Sequence, residues 1–154
     1  MKLYLIRHAD AVSAGPGLPD SSRYLSADGR QVARRVGRIL RDEGVSFDAV
    51  LTSPLVRAVQ TAELMAEAVD YLGEIQAHCG LVPGCEPQVI AADAARRGVN
   101  LALFGHEPSI SALAAYLTGQ PSFQPFRKGQ VVLVEDRRPV WRIKPTGQGI
   151  EPQF

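Results

Sequence analysis

The chain has 154 residues, enough for one domain with a sizeable core and short for two. Hydrophobic residues make up 45% and charged residues 21%, which is ordinary globular composition, and no apolar window reaches membrane-spanning length. The formal net charge of +1 argues against a general nucleic-acid binder, and an N-terminal apolar run that stops at Arg7 does not read as a signal peptide, so a cytoplasmic protein without membrane contact is expected.

Lys2 to Ile6 reads as a buried strand. The loop AVSAGPGLPDSS follows, rich in Gly, Pro and Ser. Ser26 looks like the cap of a helix running to about Arg41, with Val32, Val36, Ile39 and Leu40 at helical spacing. Arg30, Arg34, Arg35, Arg38 and Arg41 fill its other side, and the near-neutral total charge makes them a solvated face. Gly44 ends this helix. Phe47 to Thr52 is a second strand. Ser53-Pro54 then reads as a capping hydroxyl before a first-turn proline, opening a helix to about Val69. Glu74 to Ala77 is a short strand, HCGLVPGCEP a loop, and Pro87 to Arg97 a helix. Val99 to Phe104 is a buried strand leading to GHEPS, and Ser109 to Thr118 is another helix. GQPSFQPFRKG is irregular. Gln130 to Val134 and Val140 to Lys144 suggest a hairpin across EDRRP, and the polar tail PTGQGIEPQF is expected to be partly disordered. Strands alternating with helices imply a largely parallel sheet covered on both faces, in a single domain over residues 1–154.

Three of the strand-to-helix junctions carry chemistry. The first strand ends in Arg7-His8, the second leads through Ser53-Pro54 to Arg57, and Val99 to Phe104 ends in Gly105-His106-Glu107. Ligands of open α/β sheets bind beyond the carboxyl ends of the strands. Two of the three histidines in the chain therefore converge with two arginines. Two guanidiniums can hold a dianionic phosphoryl group. One histidine can serve as a nucleophile and a second, protonated, can stabilise the transferring charge. Such a pair needs two different protonation states.

LIRHADA, VLTSPLVRAVQTAELM, LFGHEPSISAL and the stretch RYLSADGR together resemble the signatures of the histidine phosphatase superfamily, which includes phosphoglycerate mutases, in the same order from Lys2 to about Leu117. The short chain resembles the small SixA-like branch, which removes phosphate from phosphohistidine in signalling domains. The resemblance implies a three-layer α/β/α sandwich with a mostly parallel, mixed sheet and a hydrolase needing no metal or organic cofactor. It implies His8 as nucleophile, Arg7, Arg57 and His106 as the phosphate-binding set, and a phosphorylated protein or small phosphorylated metabolite as substrate.

Two departures stand out. Ala9 replaces the glycine that usually follows the first histidine, and activity is expected to survive so small a change. Larger relatives carry a general-acid carboxylate where this chain reads LVPGCEP. Glu86 is the candidate there, though a helix-start role is its plainer reading; Glu107 and Asp10 are further candidates. A site lacking a strong acid suits an N–P substrate, whose imidazole leaves more readily than an alkoxide. Arg23 is a candidate for reaching phosphate or a partner's acidic surface, though a local Asp20–Arg23 pair ordering the loop is its plainer reading. Competing readings are a broad small-molecule phosphomonoesterase, a catalytically weak phosphohistidine-binding module, and a zinc site of His78, Cys79, Cys85 and Glu86, whose spacing matches no standard pattern. Cys79 and Cys85 form no CxxC pair and are expected to be free thiols.

Overall fold

A computed structural model describes residues 1–152 of the chain. Its strands are β1 (Lys2–Arg7), β2 (Ala49–Thr52), β3 (Ile75–Ala77), β4 (Asn100–Gly105), β5 (Val131–Glu135), β6 (Arg138–Ile143) and β7 (Glu151–Pro152). Its α-helices are α1 (Ala27–Asp42), α2 (Val56–Ala68), α3 (Pro87–Ala94) and α4 (Ser109–Thr118). All seven strands form one sheet in the order β3-β2-β4-β1-β5-β6-β7. The β3, β2, β4 and β1 pairings are parallel, and those joining β5, β6 and β7 are antiparallel.

The unbroken apolar run of β1 follows from burial on both faces. Tyr4 and Ile6 pack with Val36 and Leu40 of α1 and Met65 of α2. Leu3 and Leu5 pack on the opposite face with Ile90 of α3 and Ile110 and Leu113 of α4. Helices thus cover both faces of the sheet, the expected three-layer mixed α/β arrangement. Among the described residues, no helix is long and apolar enough to cross a membrane.

Several boundaries differ from the sequence reading. Helix α1 starts where expected, with the Ser26 hydroxyl accepting from the Gly29 amide at 3.0 Å. Helix α2, however, starts at Val56, with Leu55 rather than Ser53 at its cap. The Ser53 hydroxyl accepts from the Leu55 amide at 3.3 Å and also meets His106. Helix α3 stops at Ala94, short of the expected Arg97. The β5–β6 hairpin turns at Asp136-Arg137, both with positive φ (48° and 64°), a tighter turn than the five residues expected. The tail is more ordered than expected over its described part, because Glu151–Pro152 pairs with β6 and Glu151 meets Lys144 at 2.8 Å. The remaining two tail positions lie outside the described residues.

Candidate active site

Strand order and register bring the chemistry together. β4 lies between β2 and β1, with Thr52 opposite Phe104 and Arg7 opposite Gly105. The residues that follow these pairs are Ser53, His8 and His106. The ladder continues into them: the His8 amide donates to the Gly105 carbonyl at 3.0 Å and the Ser53 amide to the Phe104 carbonyl at 2.9 Å. The imidazole centroids of His8 and His106 are 5.0 Å apart. Both rings are buried, as is the Arg57 guanidinium delivered by the first turn of α2.

Each group is held by identifiable partners. His8 Nδ1 lies 2.6 Å from the Ala9 carbonyl. A carbonyl only accepts, so Nδ1 carries the hydrogen and Nε2 presents a lone pair. Burial, with a smaller contribution from the Arg57 and Arg7 charges, overcomes that hydrogen bond and pulls the His8 pKa down to about 4. His106 Nε2 meets the Ser53 hydroxyl at 2.8 Å. Burial, then His8 and Arg57, pull its pKa down to about 3. Both histidines are therefore neutral in the free protein at pH 7. The difference in protonation expected from sequence is not present before an anion binds.

Arg7 Nη1 donates to the Phe126 carbonyl at 2.6 Å. Burial lowers the Arg7 pKa and the Glu107 charge opposes the shift. Arg57 donates from Nη1 to the Asp20 carbonyl at 2.8 Å and from Nη2 to Asp20 Oδ2 at 3.2 Å. Arg7 Nε, Arg57 Nε and His106 Nδ1 are buried without a hydrogen-bond partner among the described residues. Buried polar groups normally find partners; the two arginine N–H donors, with a histidine nitrogen that donates when protonated, suit an anion with several oxygens.

The backbone around the histidine is fixed from two sides. The Ala9 amide donates to Thr61 Oγ1 at 3.1 Å, and that hydroxyl donates to the Arg57 carbonyl at 2.7 Å. The Gly129 amide reaches the carbonyls of Arg7 and His8, each at 3.1 Å. Ala9 is fully buried, and its Cβ is accommodated beside Gly129.

The four residues expected from the sequence, Arg7, His8, Arg57 and His106, come together. The candidate acids do not join them as free carboxylic acids. Glu86 is exposed at the N-cap of α3, and no hydrogen bond ties it to the histidine pair. Glu107 accepts from Ser111 Oγ at 2.7 Å and from the Phe126 amide at 3.0 Å, one donor on each oxygen. Asp10 faces Lys128 at 2.8 Å and the Ser26 hydroxyl at 2.8 Å, which hold its pKa below the usual carboxylate range. The suggested zinc group is not assembled: His78 accepts from the Gly80 amide at one ring nitrogen and faces Asp93 at the other. Cys79 is exposed, while Cys85 lines a small pocket beside His106.

Sequence reasoning missed four supports. Ser53 looked like a helix cap, Asp20 looked like a partner of Arg23 alone, and the Phe126 carbonyl carries no side-chain signal at all. Only Thr61 had a readable cue, one helical turn after Arg57.

Residues 3–82 match the sequence profile of the histidine phosphatase superfamily, branch 1. An uncharacterized protein of Picosynechococcus sp. is 31% identical over 122 residues, covering 74% of this chain and 71% of the relative. The mitochondrial serine/threonine-protein phosphatase Pgam5 of Drosophila grimshawi is 36% identical over 69 residues, 45% of this chain and 23% of that protein. The chain thus spans about a quarter of the length of its Pgam5 relatives. The solved structure of the protein histidine phosphatase SixA complexed with tungstate superposes with a TM-score of 0.87 at 23% identity, covering 94% of this chain and 97% of that one. That likeness establishes a common fold.

Proposed function

We propose, for a chain that belongs to the histidine phosphatase superfamily, that His8 is the nucleophile of a two-step phosphoryl hydrolysis. Membership makes the protein a metal-independent hydrolase using a histidine nucleophile. The observation that carries the assignment is the 2.6 Å contact from His8 Nδ1 to the Ala9 carbonyl, which leaves Nε2 as the lone-pair nitrogen. Nε2 attacks phosphorus, an N–P bond forms, and the bond to the leaving group breaks. Water then cleaves the N–P bond and releases inorganic phosphate. Arg7 and Arg57 hold the phosphoryl oxygens, and His106 stabilises their charge once the dianion raises its proton affinity.

Protein phosphohistidine is the substrate class this site favours. An alkoxide leaving group needs a proton from a well-placed acid. Both Glu107 oxygens are taken by donors, Asp10 is paired with Lys128, and Glu86 is exposed at a helix start. A phosphohistidine ring can already carry its proton on the distal nitrogen, so it leaves without that help. The fold shared with SixA, a protein histidine phosphatase, supports the same reading. The Pgam5 relatives support the alternative of an oxygen-ester substrate.

A turnover panel decides between them: a histidine-phosphorylated protein domain, a phosphosugar and a phosphoserine peptide. The phosphohistidine domain is expected to lead in kcat/KM by at least about a hundredfold, the low end of what a general acid contributes. Comparable turnover of the phosphosugar refutes the substrate class. A His8→Ala variant hydrolysing at the wild-type rate refutes the nucleophile.

A further inference from the structure

We propose that Asp20 is the general base that activates water for hydrolysis of the phosphorylated His8; the inference rests on the reading of His8 as nucleophile. Cleaving the N–P bond with water requires an acceptor for the water proton. Asp20 is the carboxylate placed against the phosphate-binding machinery. Its backbone carbonyl and Oδ2 take one N–H from each terminal nitrogen of Arg57, at 2.8 and 3.2 Å. Three of the five N–H groups of that guanidinium remain for another anion, the unpaired Nε among them. A phosphoryl group held by those donors lies beside the Asp20 carboxylate.

Asp20 is itself held in place. Its Oδ1 accepts from Arg23 Nη1 at 3.0 Å, and Arg23 Nε donates to the Val12 carbonyl at 2.7 Å. The side chain is 60% exposed, so water reaches it and a captured proton can leave. Its field also reaches His106, raising the proton affinity of that ring. The hydrogen bond from Arg23, assisted by Arg57, keeps the Asp20 pKa below the usual carboxylate range. An ionised carboxylate is a base and not an acid, which agrees with a substrate whose leaving group needs no proton.

The step balances. A water proton passes to Asp20, the water oxygen bonds to phosphorus, and the electron pair of the breaking N–P bond returns to His8 Nε2. Asp20 then releases its proton to solvent, and phosphate departs.

Rapid-quench kinetics of Asp20→Asn with phosphoramidate as donor test the inference. The amide oxygen can still accept from Arg57, while the lost charge withdraws a small part of the support for His106, so phosphorylation of His8 is expected to slow far less than hydrolysis of the phosphoenzyme. Steady-state turnover is expected to fall about a hundredfold, with acid-labile phosphate accumulating on His8 to near one per chain. Asp20→Glu, which keeps a carboxylate, is expected to recover part of the turnover. Parallel slowing of phosphorylation, with no accumulated phosphoenzyme, overturns the proposal and reduces Asp20 to a positioning residue for Arg57. Unchanged turnover overturns it as well. If wild-type protein quenched during turnover, and Asp20→Asn with it, carries phosphate on a residue other than His8, the nucleophile assignment falls and this inference falls with it.

Discussion

The depressed pKa values of the two site histidines make acid sensitivity a quantitative expectation. A histidine has a pKa of about 6.5 in an unfolded chain. His8 is pulled down to about 4 and His106 to about 3 by burial and neighbouring cations. A group with a lowered folded pKa that is neutral when deprotonated has the following sign. Above pH 6.5 both states are neutral and nothing is lost. As pH falls below 6.5 the unfolded chain takes up protons that the folded site refuses, so stability falls. At pH 5 the loss is about 2 kcal/mol per histidine, and about 4 kcal/mol for the pair, relative to pH 8. The figure holds for any folded value below about 4.5, because both rings are then still neutral in the native state at pH 5. Mutual repulsion between them does not enter at that pH. Urea unfolding of wild type and of a His8→Gln/His106→Gln double variant at pH 8 and 5 isolates the effect, since other titrating groups cancel in the difference. With a slope of about 2 kcal/mol/M, the wild-type midpoint should drop about 2 M further than that of the variant. A difference of about 2 kcal/mol would mean that one site histidine is charged in the folded protein at pH 5, and one below about 1 kcal/mol that both are; either would refute the reasoning. The same neutrality keeps kcat/KM level down to about pH 5, where an unperturbed histidine nucleophile would already be mostly protonated.

Ser53→Ala strips His106 of its 2.8 Å partner and leaves both ring nitrogens unpaired; about a fivefold loss of kcat/KM is expected from an interaction of about 1 kcal/mol, measured with the phosphohistidine domain. Gly129→Ala meets a φ of +83° and puts a Cβ 2.7 Å from Val32 Cγ1; a stability loss of about 1–3 kcal/mol is expected by urea unfolding, with Val32→Ala recovering part of it. Glu107→Ala removes the acceptor of both the Phe126 amide and Ser111 Oγ; since Phe126 holds Arg7, inhibition by inorganic phosphate should weaken by about tenfold while the fold persists.

Much of the site was legible because local signals and strand ends coincide. The run Leu3 to Ile6 is apolar on both faces, so its strand and its polar terminus Arg7-His8 could be read directly. Ser26 acts as the cap that its position suggested. What escaped was set by sheet order. Ser53 carries the same hydroxyl-proline signature whether it caps a helix or binds a histidine. The choice is made because β2 pairs with β4, which places Ser53 beside His106, 53 positions away in the chain. The Asp20–Arg23 pair could be read from a spacing of three, but its contact with Arg57 spans 37 positions. The turn at Asp136-Arg137 lacks the glycine that would have announced positive φ. The pairing of Glu151 with Lys144 depends on the tail reaching β6.

The need for two unlike histidines is met by the chemistry of their partners and not by unequal burial. Both rings are buried and both are neutral in the free protein. His8 Nδ1 faces a carbonyl, which can only accept, so that nitrogen keeps its hydrogen and Nε2 keeps its lone pair. His106 Nε2 faces a hydroxyl, which can donate or accept. A proton arriving on Nε2 therefore turns the Ser53 hydroxyl around without breaking the contact. Phosphoryl oxygens beside Arg57 add negative charge next to a ring now held down partly by that arginine. In the proposed mechanism the anion draws a proton onto His106 while the lone pair of His8 bonds to phosphorus. Replacing Ser53 by a residue that can only donate should fix His106 neutral, and the protonation asymmetry would then be lost even with both histidines in place.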